Sequence, residues 1–253
     1  MEGSILSFIV FTVLASLFLL TKYFMKRRLS NKDVTSSGNN IKVITILFYG
    51  ILFVSQFFIN YDSTKQVCGF YQPVTAFFTT LIPWIFIFGT LNILLLIFPG
   101  WKAPFSNTIG FIVTKLAGIE SLFRDMLIKS DANTKLIDQI YKDPSPLINE
   151  FTPATFEDTI TAINKTQGQP VIDTKNESNL YKLYNFVLLK DTVSELIWYM
   201  LTGALVASAA YNFIANSPCK RSIAYMKQQR ADWEAENNKE PAKKQKKIYK
   251  IRE

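Results

Sequence analysis

Four stretches of this chain are apolar on nearly every face for about the length that crosses a bilayer core as a helix, and they decide what it can fold into. The windows lie at about 3–21, 43–60, 76–98 and 194–216. The first three contain no charged side chain, and the fourth none from Leu196 onward. In hydrocarbon the backbone must satisfy its own hydrogen bonds, so each window is expected to be a helix. The result is an all-α membrane protein with about four transmembrane helices and a small helical extramembrane segment. The first window lacks the basic leader of a secretion signal and its apolar run is too long for one, so it is expected to be retained as a span.

The remaining sequence divides around these windows. Residues 1–101 hold three spans and short loops, 102–193 a helical extramembrane segment, 194–216 the fourth span and 217–253 a basic tail. The loop between spans one and two is basic, and Ser36-Ser37-Gly38-Asn39-Asn40 reads as a flexible turn. Pro83 within span three predicts a kink, with a re-entrant helix as the alternative. Pro99-Gly100-Trp101 ends that span, and the indole of Trp101 suits the membrane interface. Pro99, Gly100 and Trp101 are therefore candidate membrane-interface anchors. The stretch Ile109–Ile119 is expected to lie along the surface or to re-enter.

Apolar stripes at helical spacing mark the extramembrane segment: Ile119, Leu122, Phe123, Met126 and Leu127; Leu136, Ile137, Ile140 and Tyr141; Phe156, Ile160 and Ile163; Leu180, Leu183, Tyr184, Val187 and Leu188. The last stripe is expected to run on into span four. Ser145-Pro146 and Thr152-Pro153 predict helix starts, and Thr155 with Asp158 resembles a capping box. No window alternates as a strand. The short stripes can bury one modest core, helped by the membrane surface or a partner, and the segment Gly118–Val193 is expected to contact another protein that covers them. After Ser217-Pro218 the tail is expected to begin as a helix and then become disordered and rich in Lys.

The composition removes several chemistries. The chain has no histidine, two cysteines and ten glycines without a phosphate-cradling cluster. No catalytic, cofactor or metal site is expected, and no enzymatic activity. No span carries a charge near its middle, which argues against a pump or coupled transporter. Gln56, Asn92 and Thr202 can hydrogen-bond between helices. In span four Gly203 with Ala207, and Ala204 with Ser208, form small-residue faces suited to close helix packing. The tail lysines Lys243, Lys244, Lys246, Lys247 and Lys250 form a candidate anionic-partner site, with lipid headgroups or an acidic protein as the chemistry it would meet. No specific nucleic acid and no small-molecule substrate is expected.

The net charge of +8 divides between the two faces. By the positive-inside rule both Lys22–Lys42 and Lys220–Arg230 claim the cytosol, yet four spans put them on opposite sides, so charge does not orient the chain. Asn164-Lys-Thr and Asn176-Glu-Ser are glycosylation sequons and would favour a luminal segment. The same span count puts Cys68 and Cys219 at one face. A disulfide between them would need the ends of spans two and four to be neighbours, and a reducing cytosol opposes one.

Cys68-Gly69, Ile82-Pro83-Trp84, Phe88-Gly89, Phe98-Pro99-Gly100-Trp101, Pro104-Phe105-Ser106-Asn107-Thr108 and Gly110-Phe111 resemble virion membrane proteins of the nucleocytoplasmic large DNA viruses, of the algal-virus or giant-virus type. Tyr211-Asn212 through Ser217-Pro218-Cys219-Lys220, with Met226-Lys227, is similar to them too. The resemblance covers about 66–119 and 211–230. It implies a structural protein of the internal, endoplasmic-reticulum-derived virion membrane. Such a minor capsid protein would have the lipid bilayer and capsid or other virion proteins as partners. It also softens the objection to a Cys68–Cys219 disulfide, since viruses of this group encode thiol-oxidising machinery. The alternatives are a passive pore or transporter-like protein, and an accessory subunit of a large organelle membrane complex.

Overall fold

The computed structural model describes residues 2–29, 34–130, 133–166, 170–219 and 223–237. Two units are distinguished, residues 1–215 and 216–253. Four helices in the first are long and apolar enough to cross a membrane. They are α1 (Glu2–Leu29), α2 (Val34–Cys68), a helical run over Pro73–Ile97, and a long helix ending at Ala215.

The first two helices outrun their apolar windows. α2 includes residues 36–40, which were expected to form a flexible turn. Once a packed span has nucleated a helix, each added residue gains one hydrogen bond, so Gly and Asn at its end do not stop it. Span three is helical throughout, as α3 (Pro73–Pro83), a π-helical stretch (Trp84–Gly89) and α4 (Thr90–Ile97). At 1.5 Å per residue its 25 residues reach roughly 37 Å, enough to cross with tilt. The disturbance at Pro83 is a change of helical pitch directly after the proline, and the chain does not turn back.

The bundle core is aromatic. Phe11 and Phe18 of α1, Phe48 of α2, Trp84 and Phe88 of span three and Tyr199 of the last span are all buried. Phe18 stacks on Phe48 with centroids 4.2 Å apart, and Phe88 meets Phe11 at 5.7 Å and Tyr199 at 5.6 Å. Polar contacts tie neighbouring helices: the Ser7 hydroxyl donates to Gln56 Oε1, Gln56 Nε2 donates to the Ser7 carbonyl at 3.1 Å, and Asn60 Nδ2 donates to Thr80 Oγ1 at 2.8 Å. Asn92 and Thr202, expected to bond across helices, instead donate to carbonyls one turn back in their own helices.

The extramembrane segment is a small helical module. After α5 (Ala103–Phe105), a π turn (Ser106–Gly110) and α6 (Phe111–Leu116) come α7 (Ile119–Met126), α8 (Thr134–Lys142), α9 (Ser145–Glu150) and α10 (Phe156–Thr166). Gly118 takes φ +99° between α6 and α7, a left-handed conformation that favours glycine at a helix C-terminus. α11 (Glu177–Ala215) then runs unbroken from the module into the membrane, as the fourth stripe led one to expect.

The stripes cover one another. Ile119, Phe123 and Met126 of α7, Ile137 of α8, Ile148 of α9, Ile160 of α10 and Leu183 and Val187 of α11 form one core. The expectation that a second protein covers them is therefore corrected: α11 supplies the missing surface, and Ile128 and Leu136 are the only large apolar residues of the described 118–193 left exposed. The pairing of Leu127 with Ile172 is a single antiparallel bridge, flanked by Ile128 N–H to Val171 O and Asp173 N–H to Met126 O, both 2.9 Å. Two helix starts differ from expectation. Asp143, rather than Ser145, caps α9 by accepting from the Ser145 N–H at 3.0 Å. Thr152-Pro153 forms a turn, with Thr155 N–H donating to the Thr152 hydroxyl, and α10 begins only at Phe156.

In the second unit Ser217–Cys219 is not helical, contrary to the expected start at Pro218, and α12 spans Ile223–Asn237.

Candidate membrane interface

Span three ends at Phe98, whose extended backbone (φ −119°, ψ 70°) breaks the helix. Pro99 then opens one tight 3₁₀ turn over Pro99–Lys102, because its fixed φ suits a helical first position. Trp101 stacks on Phe98 at 5.7 Å and leans on Trp198 of α11 at 6.1 Å. Pro99 and Gly100 are exposed beside it.

From this turn the chain continues as a shelf through residue 116. One side of it is bound to α11. Gly110 lies so close that an added Cβ would sit 2.8 Å from the Lys190 carbonyl oxygen, and Thr114 is fully buried. The other side exposes Trp101, Ile109, Ile112 and Leu116, the last at 85%. Leu96, Ile97 and Phe98 at the end of span three are exposed too. The i, i+3, i+7 spacing of Ile109, Ile112 and Leu116 was readable in the sequence, but the apolar span running into it obscured its amphipathic character.

Where α1 and the shelf meet α11, charges interlock. Lys22 of α1 pairs with Glu195, and Lys102 of the shelf with Asp191. All four side chains are mostly buried. The Tyr181 hydroxyl donates to the Arg27 carbonyl at 3.1 Å just above them. Deeper in the module Lys190, 2% exposed, donates to Ile148 O at 2.8 Å, capping α9. Sequence reasoning missed these pairs, since their members lie 173 and 89 positions apart.

Of the small residues in span four, Gly203 and Ala207 are buried, Ala204 is half-buried and Ser208 is exposed. The Gly203 face receives the ring of Phe11, so close that a Cβ there would lie 2.1 Å from Phe11 Cε1. The close approach is shown at Gly203; Ala207, one turn on, is buried as well, and Ser208 is exposed.

Cys68 and Cys219 are each disulfide-bonded. The basic cluster Lys243, Lys244, Lys246, Lys247 and Lys250 lies outside the described residues. Asn164 of the first sequon is engaged on both amide atoms: Oδ1 accepts from Val171 and Ile172 N–H at 2.9 and 2.8 Å, and Nδ2 donates to Ile172 O at 3.1 Å. Asn176 accepts from Asn179 N–H at the start of α11.

These features describe an all-α protein with four helices long and apolar enough to cross a membrane and a folded helical module between the third and the fourth. No protein-family model, curated protein or solved structure matches the chain.

Proposed function

We propose that this chain is a non-catalytic structural protein that holds its module at a fixed pose over a membrane. Following the sequence resemblance, its task is to link the internal membrane of a large DNA virus to the capsid shell as a minor capsid protein. The observation that carries the structural part is α11. Its 39 residues extend roughly 58 Å, about twice the hydrocarbon thickness. One helix therefore belongs to both the module core and the bundle core. Such a connection transmits force and orientation, which a hinged domain would not. The viral part rests on the resemblance.

A passive pore fits less well, because interlocking aromatic rings fill the bundle around Phe11, Phe48, Phe88 and Tyr199, and the buried Ser7, Gln56, Asn60 and Thr80 are hydrogen-bonded to one another across helices. With the module's apolar stripes buried internally, its contact with the shell is polar and runs through exposed side chains such as Lys129, Lys135 and Lys142. Lysine-directed crosslinking of the chain in its native membrane tests this. The expected result is crosslinks from these three lysines to an abundant shell protein. Crosslinks confined to other membrane subunits would favour an organelle-complex subunit and sink the proposal.

A further inference from the structure

The charged layer at the module's base is unevenly matched. Lys22 and Lys102 each have a carboxylate, Glu195 and Asp191. Lys26 lies one turn beyond Lys22 on α1, half-buried and within electrostatic range of all four. Among the described residues no carboxylate comes within ion-pair distance of it. Among the described residues three cations thus face two anions in a partly dehydrated place, where an unneutralised charge is costly and a further anion is favoured.

The shelf indicates where that anion comes from. Its exposed Trp101, Ile109, Ile112 and Leu116 follow closely in the chain on the exposed Leu96, Ile97 and Phe98 at the end of span three, and apolar side chains exposed at that level are suited to cover by acyl chains. Trp101 marks the headgroup level, as interfacial indoles do. Lys102 is the next residue, and it joins Lys22 and Lys26 through the charged layer. A lipid whose tails lie against the shelf thereby brings its phosphate to the height of the three lysines. Basic recesses beside membrane helices hold anionic headgroups in this manner.

We propose that Lys22, Lys26 and Lys102 form a binding site for the phosphate of an anionic phospholipid, with the shelf over residues 99–116 seating its acyl chains. Lys26 supplies the charge the lipid neutralises, and the other two lysines, held by Glu195 and Asp191, add donors without adding net charge. The inference is independent of what the module docks onto.

Native mass spectrometry of the full chain, released from nanodiscs of mixed phosphatidylglycerol and phosphatidylcholine, tests it. The wild type is expected to retain phosphatidylglycerol in preference to phosphatidylcholine. Lys26→Gln should lower phosphatidylglycerol retention by about fivefold, the effect of one cation near a membrane surface. Lys26→Arg should restore it. Lys42→Gln, which removes an exposed cation on α2, should lower it less than Lys26→Gln does. Equal retention of both lipids by the wild type overturns the site without recourse to any variant. An equal loss in Lys42→Gln would show only a general basic field and overturn it too. Displacement of phosphatidylglycerol by excess inorganic phosphate would assign the lysines to a soluble phosphate and overturn the lipid assignment.

Discussion

At the scale of single residues, the most constrained position is Gly203. Its missing side chain makes room for the Phe11 ring, so even one methyl group collides with an aromatic edge that the packed bundle holds in place. Gly203→Ala is expected to destabilise the protein by about 1–3 kcal/mol, the usual cost of overpacking. In Gly203→Ala/Phe11→Leu the added methyl should cost less than it does beside Phe11. Thermal unfolding in detergent, read as a double-mutant cycle, checks this, and additive losses would mean that the two residues do not compete for space. Asn164 gives a second prediction. Its amide holds the strand-like turn at 171–172, so Asn164→Ala should lose about 1–3 kcal/mol even when made in a host that attaches no glycan. An unchanged melting temperature there would leave Asn164 with no role beyond its sequon.

At the scale of elements, the spans were legible because lipid imposes a length and a composition that nothing else in a sequence imitates. Their true ends were not, because a helix leaving the bilayer may become polar without ceasing to be a helix, as α1 does through Lys22 and Lys26 and α11 does before Leu196. The stripes Ile119–Met126 and Leu180–Leu188 announced helices correctly, while Leu127, expected on the first, lies just past its end in the bridge to Ile172. What they could not announce is that they face each other, since periodicity gives a buried side and not the identity of its cover. The end of span three before Pro99 was readable from proline chemistry, whereas the Lys22–Glu195 and Lys102–Asp191 pairs exist only once the helices are packed. Capping was misread by two residues at α9, where Asp143 does what Ser145 was expected to do. That cap has a pH signature. The Ser145 hydroxyl and N–H donate to the Asp143 carboxylate and hold its pKa below the ordinary value of 3.8. A depressed carboxylate stabilises the fold above its unfolded pKa, and the contribution disappears as pH falls through the folded one. The stability difference between wild type and Asp143→Asn, which keeps an acceptor but cannot ionise, should therefore be constant at neutral pH and shrink below about pH 4. A difference that does not change with acid would remove Asp143 from the cap.

At the scale of the whole first unit, two cores share one helix. The module core takes Leu183 and Val187 of α11, and the bundle core takes Tyr199 and Val206, with the ion-paired Asp191 and Glu195 between them. If α11 is the connecting strut, breaking it between the cores should separate their stabilities while leaving each core's contacts intact. Thr192 stands in that interval and is half-buried, and its hydroxyl donates to Leu188 O at 2.8 Å. Proline at this position would remove an intrahelical hydrogen bond and clash with the preceding turn, at a cost of about 3 kcal/mol. Because the bundle part of α11 is also held by three other helices, that cost should fall on the module. Hydrogen exchange in Thr192→Pro is thus expected to accelerate at the 127–128 and 171–173 pairing and at α7, while the amides of 200–210 stay protected. In the wild type the most protected amides of both cores should exchange through one common opening. Equal acceleration in both cores would mean that they unfold as one body regardless of the strut. No acceleration in either would mean that the module is held by the shelf, through Gly110 and the Lys102–Asp191 pair, more firmly than by the helix that joins it to the membrane.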